Sequence, residues 1–354
     1  AERSPSWSPD GRWIAYFSDA TGEYELYITQ SDGLGETRQL TEGSQTYYYN
    51  PLWSPDSKQI AFTDKAGKIF VLEVESKDLK QIDMNPFPGQ PQLDWAHDSS
   101  WLAYTRAAEN QLSVICLYNV AEGKSYQVTS GMFNDSSPAF DREGKYLYFA
   151  TNRTFTSPIY EDLGTSFVYG NTGSIVAVPL SADTPLPWAP ESDEEEFTKD
   201  EDKDDDDASD DADDDKSDDD ADDDDAADDQ QDADDGDQDE EGDDEEGDDE
   251  EEDESLKIDL DGFEARAFQL PMSAGNFGNL ASPKSGVVMY VRTSSRGITA
   301  PPQLQMFDLS KKKEDTILAG IGGFGLSADG KKAVVLQGGG LGIMTPAPGQ
   351  KPTA

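Results

Sequence analysis

A short turn set between aromatic strands returns six times along this chain, and that repeat restricts its fold more than any other feature. Trp7-Ser8-Pro9-Asp10-Gly11 precedes the apolar run Trp13-Ile14-Ala15-Tyr16-Phe17. The unit returns as Trp53-Ser54-Pro55-Asp56-Ser57, as Trp95-Ala96-His97-Asp98-Ser99 and as Phe140-Asp141-Arg142-Glu143-Gly144, each time before a similar run. Weaker copies are Leu280-Ala281-Ser282-Pro283 and Leu326-Ser327-Ala328-Asp329-Gly330. Their first residues lie 46, 42, 45, 140 and 46 positions apart.

Pro presets φ and Asp hydrogen-bonds the backbone two residues on, so Pro-Asp followed by Gly or Ser makes a tight turn. The aromatic before it and the apolar run after it then read as two hairpin strands, with Trp7, Trp53 and Trp95 packed between neighbouring units. A third strand follows at Tyr24 to Ile28, Lys68 to Leu72, Ser113 to Tyr118, Ser174 to Val178 and Leu304 to Phe307. Short outer strands at Gln39 to Thr41, Gln81 to Ile82 and Gln127 to Thr129 complete four per unit. Four strands and a period in the forties match the blade of a β-propeller, and no amphipathic helix of useful length competes. The fold class is therefore all-β, a β-propeller of six or seven four-stranded blades.

Charge explains the one long interval. From Asp193 to Glu254 the chain carries 43 Asp or Glu and 3 Lys, net -40, out of -48 for all 354 residues. Phe197 is the tract's only large apolar side chain and its carboxylates repel one another, so the tract is expected to be disordered. The 140-residue interval equals roughly two ordinary periods plus most of this tract. It therefore reads as an insertion in a loop between blades, with blades in 1–192, the acidic insertion in 193–254 and the remaining blades in 255–354. Such acidity disfavours nucleic acid and anionic membranes, and no apolar run reaches the roughly 18 residues of a membrane span.

A longer string of residues is more selective than the repeat. Glu2-Arg3-Ser4-Pro5-Ser6-Trp7 through Glu23-Tyr24-Glu25-Leu26-Tyr27, Tyr48-Tyr49-Asn50-Pro51 before Trp53, and Asn134-Asp135-Ser136-Ser137-Pro138 resemble the tricorn protease family. So do Ala182-Asp183-Thr184-Pro185 leading into Pro190-Glu191-Ser192, and Ile258-Asp259-Leu260-Asp261-Gly262. The resemblance is to the second, seven-bladed propeller and covers nearly the whole chain. It implies a noncatalytic scaffold and access filter through which peptides reach a serine peptidase. The partners it implies are peptide substrates, downstream PDZ-like and peptidase domains, and further copies of the chain. TolB-like and dipeptidyl-peptidase propellers share the shorter turn motif, which leaves a stand-alone TolB-like propeller binding a protein or peptide as the alternative. The resemblance favours the cytoplasm, with the periplasm as the alternative.

The residues themselves offer no catalytic set and no cofactor or metal site. A serine or cysteine triad needs a histidine base, and the one histidine, His97, occupies a turn position and reads as solvated. Cys116 falls in a strand as a small apolar residue, and a lone cysteine builds neither a zinc cluster nor a redox pair. Gly320-Ile321-Gly322-Gly323-Phe324-Gly325 fits the dinucleotide-binding glycine pattern, but a strand end and turn follow it where that mechanism needs a helix N-terminus. The sequons at Asn134 and Asn152 carry no weight without a secretory origin. The acidic tract lacks the alternating ligands of an organised calcium loop and reads as a solvated linker, with diffuse cation binding, solubility in a salty habitat or a salt-sensitive electrostatic gate against acidic peptides as the alternatives. Its deletion should leave the propeller folded, whereas deletion of the last repeat should unfold it or make it oligomerise.

Overall fold

The computed structural model describes residues 1–87, 89–155, 160–162, 166–188, 255–294 and 299–353. The acidic tract, and with it the expectation of disorder, lies outside them. One compact unit is formed by Ala1–Ala189 together with Glu254–Ala354.

Six antiparallel sheets make the blades of a β-propeller, five with four strands and one with three. The first blade is β1 (Glu2–Trp7), β2 (Trp13–Ser18), β3 (Glu25–Gln30) and β4 (Thr37–Gln39). The second is β5 (Tyr48–Trp53), β6 (Gln59–Asp64), β7 (Lys68–Glu73) and β8 (Leu79–Met84). The third is β9 (Leu93–Trp95), β10 (Trp101–Ala107), β11 (Ser113–Asn119) and β12 (Lys124–Gln127). In the fourth, β13 (Ser136–Phe140) and β14 (Tyr146–Thr151) are separated from β17 (Ser174–Pro179) by a small hairpin, β15 (Tyr160–Asp162) with β16 (Ser166–Val168). The fifth is β19 (Asn276–Lys284), β20 (Val287–Thr293), β21 (Gln303–Asp308) and β22 (Lys313–Ala319), and the sixth is β23 (Ile321–Leu326), β24 (Ala333–Gln337) and β25 (Gly340–Met344).

The fourth strand of the fourth blade is β18 (Phe268–Gln269), which pairs with β17 from the far side of the acidic tract. The tract therefore interrupts a blade between its third and fourth strands, and does not lie in a loop between blades. The long interval holds one blade, not two. The spare length is taken by the β15–β16 hairpin and by residues 255–267, which run back along the third and fourth blades. Leu256 donates its N–H to Asp98 Oδ2 at 2.7 Å and accepts from Trp101 Nε1 at 2.9 Å. Ile258, Leu260 and buried Phe263 pack on Trp101, Leu147 and Val178. Sequence spacing cannot separate such a strap from a blade, because both read as short apolar runs.

Each turn is built by the residues that the repeat marks. Ser8 Oγ accepts the Trp13 N–H at 2.9 Å and donates to Asp10 Oδ1, which also accepts the Arg12 N–H at 3.0 Å. Ser54 with Asp56 and Ser327 with Asp329 repeat the arrangement. In the fourth blade Asp141 replaces the serine and is fully buried, its Oδ2 accepting the Gly286 N–H of the fifth blade at 2.8 Å.

Between blades the aromatics pack as expected, with one correction. Trp53 Nε1 donates to the Ser6 carbonyl at 3.0 Å, and Trp95 Nε1 to the Leu52 carbonyl at 3.2 Å. Both rings are buried in inter-blade clusters, where burial of a large side chain contributes about 2 kcal/mol or more. Trp7 is 61 % exposed. It stands in the first described blade, so no preceding inner strand among the described residues offers its indole a carbonyl or a packing surface. The sixth blade likewise leaves Val334, Leu336 and Ile343 exposed. Among the described residues no helix is long and apolar enough to cross a membrane.

Candidate functional site in the central channel

Neighbouring blades meet through β1, β5, β9, β13, β19 and β23, the first strand of each sheet. A first strand has a sheet partner on one side only, so its other edge borders the space between the blades. Two cavities occupy that space. The larger, about 410 Å³, opens among the Ser-Pro-Asp turns and takes residues from all six blades, among them Pro9, Trp53, Asp94, Phe140, Leu280 and Phe324. The second, about 330 Å³, opens at the opposite strand ends, between Asn50, Gln90, Gln92, Ser137 and Asn279. Leu52, Leu93, Asn279 and Leu280 border both.

The second mouth is shaped by a bulge that recurs from blade to blade. Ser4, Asn50, Ser137 and Asn279 hold positive φ values of 50 to 52°, each where the first strand slips register against the second. A non-glycine residue pays roughly 1–2 kcal/mol for that conformation. At three of the four positions proline follows, as Pro5, Pro51 and Pro138. Proline removes a donor from a strand edge, which makes that edge a poor template for pairing with an added strand. The amide side chains are spent partly on one another: Asn50 Nδ2 donates to Gln90 Oε1 at 3.3 Å, and Gln92 Oε1 accepts the Ser137 N–H at 2.7 Å. This mouth is a neutral, hydrogen-bonding collar.

The mouth among the turns is charged. Asp94, His97, Asp141 and Arg142 are its titratable side chains. Asp141 is consumed by its hydrogen bonds, and exposed His97 makes none among the described residues, none of whose serines is held against its imidazole. Asp94 is half-buried, its Oδ2 accepting the Phe140 N–H at 2.7 Å, and burial pushes its carboxyl up to about 7, opposed by that bond and by Arg142. Sequence reasoning assigned no residue to the channel. The available signal was a departure from the repeat, since Asp94 stands before its aromatic where the other copies have Ser6, Leu52 and Ala139.

The remaining candidates are placed plainly. Cys116 is buried in β11, and burial pushes its thiol up to about 12. The glycines from Gly320 to Gly325 run into strand β23, with no helix to receive a phosphate. Asn134 and Asn152 spend their side-chain oxygens on backbone N–H groups. Among the described residues no cluster of three His, Cys, Asp or Glu is placed to hold a metal ion.

Blades arranged around a two-mouthed channel define a β-propeller with a ligand-sized passage. Residues 1–347 match the family described as the tricorn protease second beta propeller domain, and the chain belongs to that family. It is 25 % identical over 346 residues to tricorn protease homolog 1 of Streptomyces coelicolor, covering 94 % of this chain and 28 % of that protein. It is 36 % identical over 153 residues to the uncharacterized peptidase YuxL of Bacillus subtilis, covering 43 % of this chain and 22 % of that protein. The crystal structure of the tricorn protease superposes on all of this chain with a TM-score of 0.70 at 15 % identity, over 30 % of its own length. The chain thus spans less than a third of the length of these relatives.

Proposed function

We propose that this chain is a noncatalytic propeller of a tricorn-like serine peptidase, a scaffold and access filter through which peptides reach a catalytic site formed by other domains of the parent protein. The observation that carries the reading is the channel itself, lined by residues from six blades and open at both mouths. Its size suits an extended peptide and not a folded protein. Proline-blunted edges favour passage over capture, because a peptide that added to a strand edge would be held by a ladder of backbone hydrogen bonds. The same family relationship favours a cytoplasmic parent that forms homo-oligomers.

Two measurements test this reading. The isolated chain incubated with a mixture of casein-derived peptides should cleave none of them, whereas hydrolysis by the pure chain overturns the noncatalytic assignment. The parent gene read beyond both ends should encode PDZ-like and serine-peptidase domains. A reading frame without them makes the chain a stand-alone binding propeller, as in the TolB-like alternative.

A further inference from the structure

We infer that Asp94 is a specificity-determining residue of the channel, which favours peptides carrying a cationic group, either a free α-ammonium or a Lys or Arg side chain, over neutral or acidic ones. This rests on the peptide-channel reading above and goes beyond it by naming what the channel selects.

The geometry supplies a carboxylate with one oxygen committed and one open. Oδ2 is held by the Phe140 N–H across the interface between the third and fourth blades, which fixes the side chain against the channel wall. Oδ1 takes no hydrogen bond among the described residues, and Asp94 forms no ion pair there, although Arg142 borders the same cavity. An uncommitted carboxylate oxygen in a partly desolvated wall gains most from a ligand that brings its own positive charge, since a charge-assisted hydrogen bond offsets what burial costs the anion. Leu52, Trp53, Leu93 and Leu280 add apolar surface around the site, and the one arginine of the lining, Arg142, is not paired with Asp94 among the described residues. Arg142 opposes the effect and sets its range: a peptide with its own carboxylate nearby would be drawn to the guanidinium, and one with only a cation to Asp94.

Titration supports this assignment. Asp94 carries a proton below about 7, so its attraction for a cation should strengthen from pH 6 to pH 8. His97 and Arg142 are the other titratable groups facing that cavity with side chains not already spent. His97 is the more exposed of the pair. A His97→Gln variant separates its contribution from that of Asp94.

Trp53 and Trp95 border the cavity, so tryptophan fluorescence of the whole chain reports binding without a label. Three uncharged-backbone probes suffice: penta-alanine amide with a free N-terminus, its N-acetylated form, and the N-acetylated form with lysine at the third position. At pH 8 the lysine probe should bind roughly tenfold more tightly than the acetylated one, and the free-N-terminus probe, about half protonated there, somewhat less so. That preference should shrink at pH 6, persist in His97→Gln and vanish in Asp94→Asn. Preference for only the free N-terminus, or only the lysine probe, identifies which cation the site reads. Equal binding of all three, or a preference untouched by Asp94→Asn, overturns the role of Asp94 and leaves the peptide channel standing. Failure of every probe to bind overturns the peptide channel itself and this inference with it. Since the wild type and His97→Gln together show the pH effect, the test survives an Asp94→Asn variant that folds poorly.

Discussion

The hydroxyl of Ser57 accepts the backbone N–H of Asp10 in the preceding blade at 3.1 Å, and Ser99 does the same for Asp56 at 3.1 Å. Both serines sit at positive φ, 63° and 67°, where the equivalent turns use Gly11, Gly144 and Gly330. Serine in that conformation costs about 1–2 kcal/mol, and a bond between blades offsets it. Ser57→Ala keeps the strain and loses the bond, so it should destabilise the chain by about 1 kcal/mol. Ser57→Gly loses both and should lie close to wild type. Urea denaturation of the pair checks the account, and an alanine variant as stable as the glycine variant contradicts it.

Trp53→Phe removes an indole N–H from the half-buried Ser6 carbonyl and should cost roughly 1 kcal/mol. Trp7→Phe should cost almost nothing, because that ring is exposed and its N–H has no acceptor among the described residues. Parallel thermal melts of the two variants decide it.

Arg153 ties the returning strap to the core. Its Nη2 lies 3.2 Å from Asp135, which is fully buried, and 2.7 Å from Glu264, whose other oxygen accepts the Ser130 N–H. Arg153→Met strands the buried Asp135 carboxylate and should cost about 3 kcal/mol. A double variant with Asp135→Asn should recover part of that loss in chemical denaturation.

Asp94→Asn should stabilise the protein in a pH-dependent way. The folded state raises this carboxyl from 3.8 to about 7, so folding opposes ionisation and the wild type loses stability as pH rises between those values. Asparagine retains an oxygen for the Phe140 N–H. Its advantage should be absent below about pH 4, grow to at most roughly 4 kcal/mol and level off above pH 7. A gain that is flat with pH, or a loss at pH 8, contradicts the raised carboxyl.

Cys116 provides an internal reporter of unfolding. With its thiol pushed up to about 12 by burial, it holds almost no thiolate at pH 8 and should react with Ellman's reagent only after denaturant is added. Rapid labelling of native protein contradicts its placement.

The turn chemistry was legible because it is local: Ser, Pro, Asp and Gly meet one another within five residues, and their hydrogen bonds hold in any context that permits the hairpin. From six such turns and their spacing the sequence alone determined strands, blades and the propeller. Tertiary structure decided the rest. Which tryptophan is buried depends on whether another blade stands beside it, so Trp7 and Trp53 differ in exposure although their local sequences match. That the acidic tract splits a blade depends on β18 pairing with β17 from about 90 positions away, Ala177 with Phe268 and Val176 with Gln269, and two residues of strand leave no periodicity to read. The channel depends on residues of six blades, from distant parts of the chain, facing a common space. Asp94 acquires its character only there, where a wall drawn from several blades desolvates one oxygen and Phe140 of the next blade fixes the other.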